Sequence, residues 1–249
     1  MASAADVDIR VGCCGFPMSR TDYFAQFSLV EIQQTFYQPP RTQTLERWRL
    51  EAPPHFEFAI KAWQLITHDA TSPTYRRLKR RVAEDKKPHY GSFRLTREVM
   101  DAWDATVDAA RALAASAIVF QCPGSFTPTP AHLDQMRRFF TATRAQAPEL
   151  VRVWEPRGAW PRELIGSLCE ELGLLYSVDP FKAEPLPGKG QYFRLHGVTD
   201  HSYRHSDADL ARLLARCRGR SYCLFNNMFM AEDAQRFLAL VRDASRAPP

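Results

Sequence analysis

Eight short apolar segments recur along the 249 residues, and helical patterns or turn residues separate them. They read DIRVGCC, LVEIQQTFY, FEFAIKAW, AIVFQCP, VRVWEPR, LLYSVD, QYFRLHG and SYCLFNN. Near-continuous apolar runs of this length suit strands buried on both faces, because a parallel sheet is covered by the helices of its own crossovers. Strand, helix, strand, helix through eight strands predicts an α/β fold, a single (β/α)8 barrel of the TIM type. An open doubly wound sheet would place a glycine-rich phosphate turn near its first strand, which GCCGF imitates only weakly.

The helical stretches follow from periodicity and from their boundary residues. Pro40 to Ala52 has Thr42 or Thr44 as a cap and Leu45, Trp48 and Leu50 as its apolar side. Thr96 to Ala115, Pro130 to Arg144, Arg162 to Leu172 before Gly173, Asp207 to Arg218 and Ala231 to Arg242 complete the set. Two connections stand out. GFPMSRTDYFAQF is short for a full helix, so the first crossover is shortened, and Gln64 to Leu95 is a long excursion broken by Pro73, Pro88 and Gly91. Loops of that length in compact folds usually serve as lids or mobile segments.

Within the strands, side chains alternate between two faces. LVEIQQTFY sets Glu31, Gln33 and Thr35 on one face, and FEFAIKAW does the same for Glu57, Ala59 and Lys61.

At 45% hydrophobic and 24% charged residues the composition is that of an ordinary globular protein, and no linker or internal repeat divides it, so one domain over residues 1–249 is expected. MASAADVDIR has neither the basic nor the apolar region of a signal peptide, and no stretch approaches the roughly 18 apolar residues of a membrane helix. A cytoplasmic location and no membrane partner are therefore expected. The six cysteines are scattered without a CxxC pair, which argues against structural zinc or a disulfide framework. Cys14, at a strand end between Gly12 and Gly15, is the one position where a reactive thiol is worth considering.

The net charge of +5 is modest. Part of it lies in Arg76 to Lys87 (RRLKRRVAEDKK), with seven basic and two acidic residues. A solvated helix or loop is the plain reading, since no aromatic platform is interleaved; a phosphate-binding surface, and hence nucleic acid as a partner, is the other.

Six blocks, VEIQQTFY, FAIKAWQLITH, VFQCPGSF, VWEPRGAW, YFRLHG and LFNN, in this order resemble the YecE-like family, domain of unknown function 72. The resemblance runs from Val11 to about Ala234 and implies a TIM barrel, with no settled activity. The chain departs from the family pattern at its start. Members usually carry a tryptophan soon after the first glycine motif and a longer first crossover, whereas here about 18 residues lie between Gly12 and Glu31.

In a parallel barrel the chemistry sits at the C-terminal strand ends. Lys61, Glu155, Asp179 and His196 are the catalytic candidates, and Glu31, Tyr37, Gln121, Arg157, Arg194, Asn226 and Asn227 the substrate-binding ones. Lys61 at the end of an apolar strand needs a partner, for which Glu31 and Glu155 are suited; it can serve as anion binder, proton donor or amine nucleophile, or merely close a buried ion-pair network. Arg194 and His196 share a strand face beside Gly197, as an anion clamp next to a general acid or base would. Glu155 and Arg157 share a face too, or pair with each other. Rim aromatics Phe36, Tyr37, Trp63, Trp160 and Tyr203 could stack a sugar or base, although packing explains Trp160 equally well.

Glu31, Glu155, Asp179 and His196 could also hold Mg, Mn or Zn, but no HxH, HExxH or DxD spacing exists and the neighbouring cations would repel a metal. No metal ligand is assigned, and a divalent metal stays open as a cofactor. The function expected is an enzyme using acid/base chemistry on a small anionic or polyhydroxylated substrate, such as a sugar phosphate or nucleotide derivative. A metal-assisted phosphodiesterase or nuclease and a non-catalytic ligand- or protein-binding barrel are the alternatives.

Overall fold

The computed structural model describes residues 7–79, 81–188 and 190–246. Eight parallel strands, β1 (Asp8–Cys14), β2 (Leu29–Ile32), β3 (Glu57–Lys61), β4 (Ala117–Gln121), β5 (Val151–Glu155), β6 (Leu175–Val178), β7 (Gly190–Leu195) and β8 (Arg220–Phe225), follow one another in sequence order and close β8 onto β1. The expected barrel is thus the fold. Its helices are α1 (Arg20–Gln26), α2 (Gln34–Tyr37), α3 (Thr42–Glu51), α4 (Gln64–Thr67), α5 (Arg97–Leu113), α6 (Pro130–Thr143), α7 (Arg162–Leu172), α8 (Asp207–Arg216) and α9 (Met230–Arg246). Thr96 accepts a backbone N–H at the start of α5 and Gly173 ends α7 in the left-handed region, as expected, whereas α3 begins at Thr42 itself, so Thr42 and Thr44 lie inside it; Thr129 caps α6 and Ser206 closes a capping box on α8.

Contacts group the chain into two compact units. The first comprises the described parts of Met1–Glu31, Ala52–Glu57 and Tyr176–Pro249. Here β1 pairs with β2 from Gly12 opposite Leu29, and with β8 from Asp8 opposite Arg220. The buried Tyr23 of α1 joins the first two strands, donating its hydroxyl to the Leu29 carbonyl (2.8 Å) and accepting the Cys13 N–H (2.7 Å). Gly12 is needed here, since a Cβ would stand 2.0 Å from the Leu29 carbonyl oxygen. Phe27 and Phe56 pack against Tyr23 and Phe24 against Phe56, so the seven-residue helix anchors the shortened crossover through its aromatic side chains. At the N-terminal strand ends Arg220 makes a two-pronged contact with Glu57 (2.7 and 2.8 Å).

The second unit is Ile32–Glu51 with Phe58–Leu175. Its core is aromatic. Phe93 meets Phe120, Phe126, Phe139 and Phe140, and Trp103 stacks on Phe120. Each fully buried phenylalanine contributes about 1.5–3 kcal/mol by leaving water. The long excursion after β3 is tied down rather than loose, and part of its length folds as single 3-10 turns (Pro73–Arg77, Glu84–His89). Backbone N–H groups of Gly91, Ser92 and Phe93 donate to Leu65, Thr67 and Ile66 carbonyls, and the Asp69 carboxylate accepts from Arg94 (2.6 Å) and Ser92 (2.9 Å). Gly91, at φ +80°, lets the returning chain approach His68 so closely that a Cβ would meet its carbonyl carbon at 2.4 Å.

Three expectations need correction. The second strand ends at Ile32, so Gln33 and Thr35 do not alternate with Glu31; the buried Thr35 hydroxyl donates to the Ile32 carbonyl (3.0 Å) and accepts the Lys61 N–H (3.1 Å), and the chain turns into α2. Leu50 is 85% exposed. Two residues turn a helix by about 200°, which carries Leu50 off the face that buries Leu45 and Trp48. Arg157 lies past the end of β5 and reaches Glu155 from the following loop.

Candidate active site

In the first unit the buried chemistry begins with an ion pair. The Arg194 guanidinium meets Glu31 through Nη2 at 3.0 Å and Nε at 3.2 Å, with side-chain exposures of 2% and 0%. The Tyr192 hydroxyl donates to the same carboxylate at 2.8 Å, and the Cys14 thiol lies 3.6 Å from it. Alternation along β7 places Tyr192 and Arg194 on one face, which is why both reach Glu31. Burial and the adjacent carboxylate push the Cys14 thiol well above its ordinary range, so it stays protonated and the reactive-thiol reading fails. Arg194, 1% exposed, is engaged by Glu31.

One residue past β7, His196 donates its backbone N–H to Asp179 Oδ2 (3.0 Å), and its Nδ1 lies 3.7 Å from the same oxygen. Asp179 directly follows β6, so both groups sit at C-terminal strand ends. Burial opposes ionisation of Asp179, but hydrogen bonds from His196 and the Phe181 N–H overcome it and hold the carboxyl below its usual range. Gly197, at φ +91°, lets the chain turn beside Asp200. The loop returns His201, whose ring meets His196 edge-on (5.4 Å) and whose Nδ1 lies 2.7 Å from the Asn226 carbonyl oxygen.

Asn227 belongs to a different group. Its Nδ2 donates to Asp233 Oδ2 (2.8 Å) and to the Tyr203 carbonyl (2.8 Å), while His205 brings its N–H (3.1 Å) and Nδ1 (2.9 Å) to the same Asp233 oxygen. Burial works against the Asp233 charge, yet the His205 and Asn227 hydrogen bonds leave its carboxyl lowered. A carboxyl with a lowered folded value contributes stability above its unfolded value of about 3.9 and loses it as pH falls through the folded value. Asp233→Asn is therefore expected to cost about 1–3 kcal/mol near neutrality and to flatten the acid limb of stability, seen by denaturant unfolding at stepped pH. An unchanged acid limb would show that Asp233 does not titrate differently on folding.

In the second unit Lys61 ends β3, 4% exposed, with Nζ 2.9 Å from Gln121 Oε1 and 4.1 Å above the Phe36 ring. Gln121 pairs in register with Glu155 across β4 and β5. Glu155 accepts from Arg157 at 2.7 Å, the mutual salt bridge that the spacing allowed. Tyr37 is fixed by its backbone: its carbonyl accepts from Trp63 Nε1 and Gln64 Nε2 (3.2 Å each), and the Arg77 guanidinium covers its ring at 3.5 Å. Trp160 donates to the Phe126 carbonyl (2.9 Å) and packs edge-on against Trp154, as a core residue does.

His68 was passed over by the strand-end reading because it follows α4, away from any strand terminus. It is 4% exposed, its ring meets Phe36 edge-on at 4.9 Å, and Nδ1 lies 2.8 Å from the Thr67 hydroxyl. Burial, then the positive charge of Lys61 and of Arg157, push its pKa down to about 4 against the pull of Asp69, so the imidazole is neutral at pH 7. Only the TH dipeptide of ITH signalled it in the sequence.

Among the described residues no three His, Cys, Asp or Glu side chains gather as a metal would need, and no helix is long and apolar enough to cross a membrane. The basic stretch is two 3-10 turns and not one helix; Lys86 pairs with Glu98 (2.8 Å) and Lys87 with Glu84 (2.5 Å), while Arg80 lies outside the described residues, as do residues 1–6 of the N-terminal segment.

Solved structures share this fold. A DUF72 family protein from Enterococcus faecalis aligns at TM-score 0.64 and 17% identity, covering 95% of this chain and 98% of its own. One from Thermotoga maritima aligns at 0.61 and 18%, covering 94% and 99%. A xylose isomerase domain containing protein from Salmonella typhimurium aligns at 0.58 and 13%, covering 96% and 98%, a likeness of fold alone. No curated protein matches the chain. Residues 19–248 match the family model described as protein of unknown function DUF72, and with a match over that span the chain belongs to the DUF72 family.

Proposed function

We propose that this protein is an enzyme that applies acid and base chemistry to a small anionic or polyhydroxylated substrate, such as a sugar phosphate or nucleotide derivative. The observation that carries the reading is the Asp179–His196 pair at the ends of β6 and β7. A carboxylate kept ionised beside an imidazole helps to orient the ring of a group that moves protons in a reaction. The 3.7 Å separation is longer than a hydrogen bond, and such contacts often tighten only when substrate is bound.

Lys61 supplies positive charge at the end of β3, and Glu155 at the end of β5 is a second carboxylate for proton transfer. Glu31 has a structural share in this reading, since its carboxylate is engaged by Arg194 and Tyr192. Gln121 orients the lysine, and Asn226 follows β8 at the corresponding strand end.

A thermal-shift screen over sugar phosphates, nucleotides and free sugars, with and without divalent ions, tests the substrate class. A true ligand at about 100 times its dissociation constant adds roughly 2.7 kcal/mol of stability, a shift of a few degrees for a chain of this size. If none of these compounds raised the midpoint, the reading would be abandoned.

A further inference from the structure

We propose that Cys217 and Cys223 are a peroxide-sensitive thiol pair that forms a reversible disulfide between the end of α8 and β8. The pair has no part in the proposed acid and base chemistry. All six cysteines of the chain are thiols in this structure, and all are buried. Among the described residues one pair of sulfurs is in contact, with Cys217 Sγ 3.7 Å from Cys223 Sγ.

A short turn brings the two together. Cys217 follows Arg216, the last residue of α8, and its N–H donates to the Leu214 carbonyl (3.1 Å). Gly219, at φ +54°, then turns the chain into β8. The hydroxyl oxygen of Ser221 holds this turn by accepting the Arg218 N–H (3.1 Å). Alternation along β8 sets Ser221, Cys223 and Phe225 on one face. Phe225 packs against Phe237 of α9, so that face is turned to the helices, and Cys223 meets the end of α8 there.

The two sulfurs have different roles. A disulfide needs them about 2.05 Å apart, and the remaining approach falls on two side chains six residues apart in the chain. The hydrogen bond from Cys223, with help from Ser221 and Arg218, outweighs burial and lowers the Cys217 thiol below its ordinary value. Burial instead raises the thiols of Cys13, Cys14, Cys122 and Cys169. Cys217 is therefore the sulfur that attacks. It is also the better reached, being 2% exposed at a helix end one residue before the exposed Arg218, and helix ends open more readily than interior strands. Cys223 is 0% exposed within β8, and burial raises its thiol, so it keeps its proton until the second step.

Hydrogen peroxide is the oxidant. The Cys217 sulfur, as thiolate, attacks one peroxide oxygen; an S–O bond forms, the O–O bond breaks, and the departing hydroxide leaves as water with the proton the thiol released. Cys217 is then a sulfenic acid, oxidised by two electrons. The Cys223 sulfur attacks the Cys217 sulfur, the S–S bond forms, the S–O bond breaks, and hydroxide leaves as a second water with the Cys223 proton. In sum two thiols and one peroxide give one disulfide and two waters. The neighbouring thiol stops Cys217 at this reversible stage, short of the sulfinic acid that an isolated sulfenic acid goes on to form.

Treating the folded full chain with excess hydrogen peroxide, then blocking free thiols and digesting with trypsin, tests the pair. Arg218 and Arg220 lie between the two cysteines, so trypsin separates Cys217 from Cys223 and only a disulfide holds their peptides together. The linked peptides should appear by mass spectrometry at least about tenfold faster than oxidation at any of the other four cysteines, and a dithiol reductant should restore both thiols. Cys223→Ser should leave a sulfenic acid on Cys217 that a cyclic β-diketone traps, Cys217→Ser should leave Cys223 unmodified, and Cys169→Ser should form the link as the wild type does. The wild-type peptide map decides by itself if a variant does not fold. Survival of all six thiols, a disulfide between other cysteines, sulfinic acid at Cys217 without the link, or a link that forms only in denaturant would overturn the pair. None of these results bears on the ligand screen, so the proposed function stands or falls separately.

Discussion

Arg194→Met is expected to lower the unfolding free energy by about 3–5 kcal/mol near neutral pH, a large part of the stability of an ordinary domain. The Glu31 carboxylate, 0% exposed, would keep its hydrogen bond from Tyr192 but lose the guanidinium that meets both of its oxygens. A charge taken out of water without that compensation is far costlier than the intact pair is favourable, so the single substitution reads the desolvation of Glu31 and not the worth of the bridge. A control separates these. Glu31→Gln combined with Arg194→Met should recover much of the loss, since neither member is then charged. Denaturant unfolding of the wild type and the two variants gives the answer. A loss below about 1 kcal/mol for Arg194→Met would mean that other groups compensate Glu31 in the folded protein.

His196→Gln is expected to lower kcat by about 10²–10⁴-fold on whatever substrate the ligand screen identifies, the range general acid–base catalysis contributes. Glutamine keeps the backbone N–H that Asp179 accepts, so the loop after β7 has no reason to move, and the substrate should still raise the melting temperature. Loss of kcat with binding retained is what distinguishes a proton-moving group from a packing one. Asp179→Asn tests the other half. It retains an oxygen to accept the His196 N–H but removes the carboxylate charge beside the ring, so kcat should fall by less than in His196→Gln while the protein stays folded. Equal activity of wild type and His196→Gln would assign the pair to holding the β7 loop, and the search for the proton donor would move to Glu155.

The barrel was legible because the information that specifies it is local. A run such as AIVFQ suits burial on both faces, Thr96 opens the helix that follows it, and Gly173 ends one in the left-handed region. The polar strand ends were legible for the same reason. Lys61, Gln121, Glu155, Asp179 and His196 each stand at or just past the end of their strands. Misreadings arose where a side chain outside the local pattern intervened. Thr35 answers its own strand's last carbonyl and a β3 N–H, which ends β2 early, and Leu50 is apolar but two residues from Trp48.

What the sequence determined by itself is therefore the succession of strands and helices and the set of charged groups at one end of them. Tertiary structure decided which of those groups meet. Arg194 meets Glu31, Lys61 stands over Phe36 beside Gln121, Arg157 turns back to Glu155, and His68, seven residues past β3 in the chain, is brought under the charges of Lys61 and Arg157 by an excursion pinned through Gly91. The physical reason is that burial and capping act over a few residues, whereas a partner for a buried charge is chosen by strand register and by the cost of leaving water, both set by residues distant in the chain.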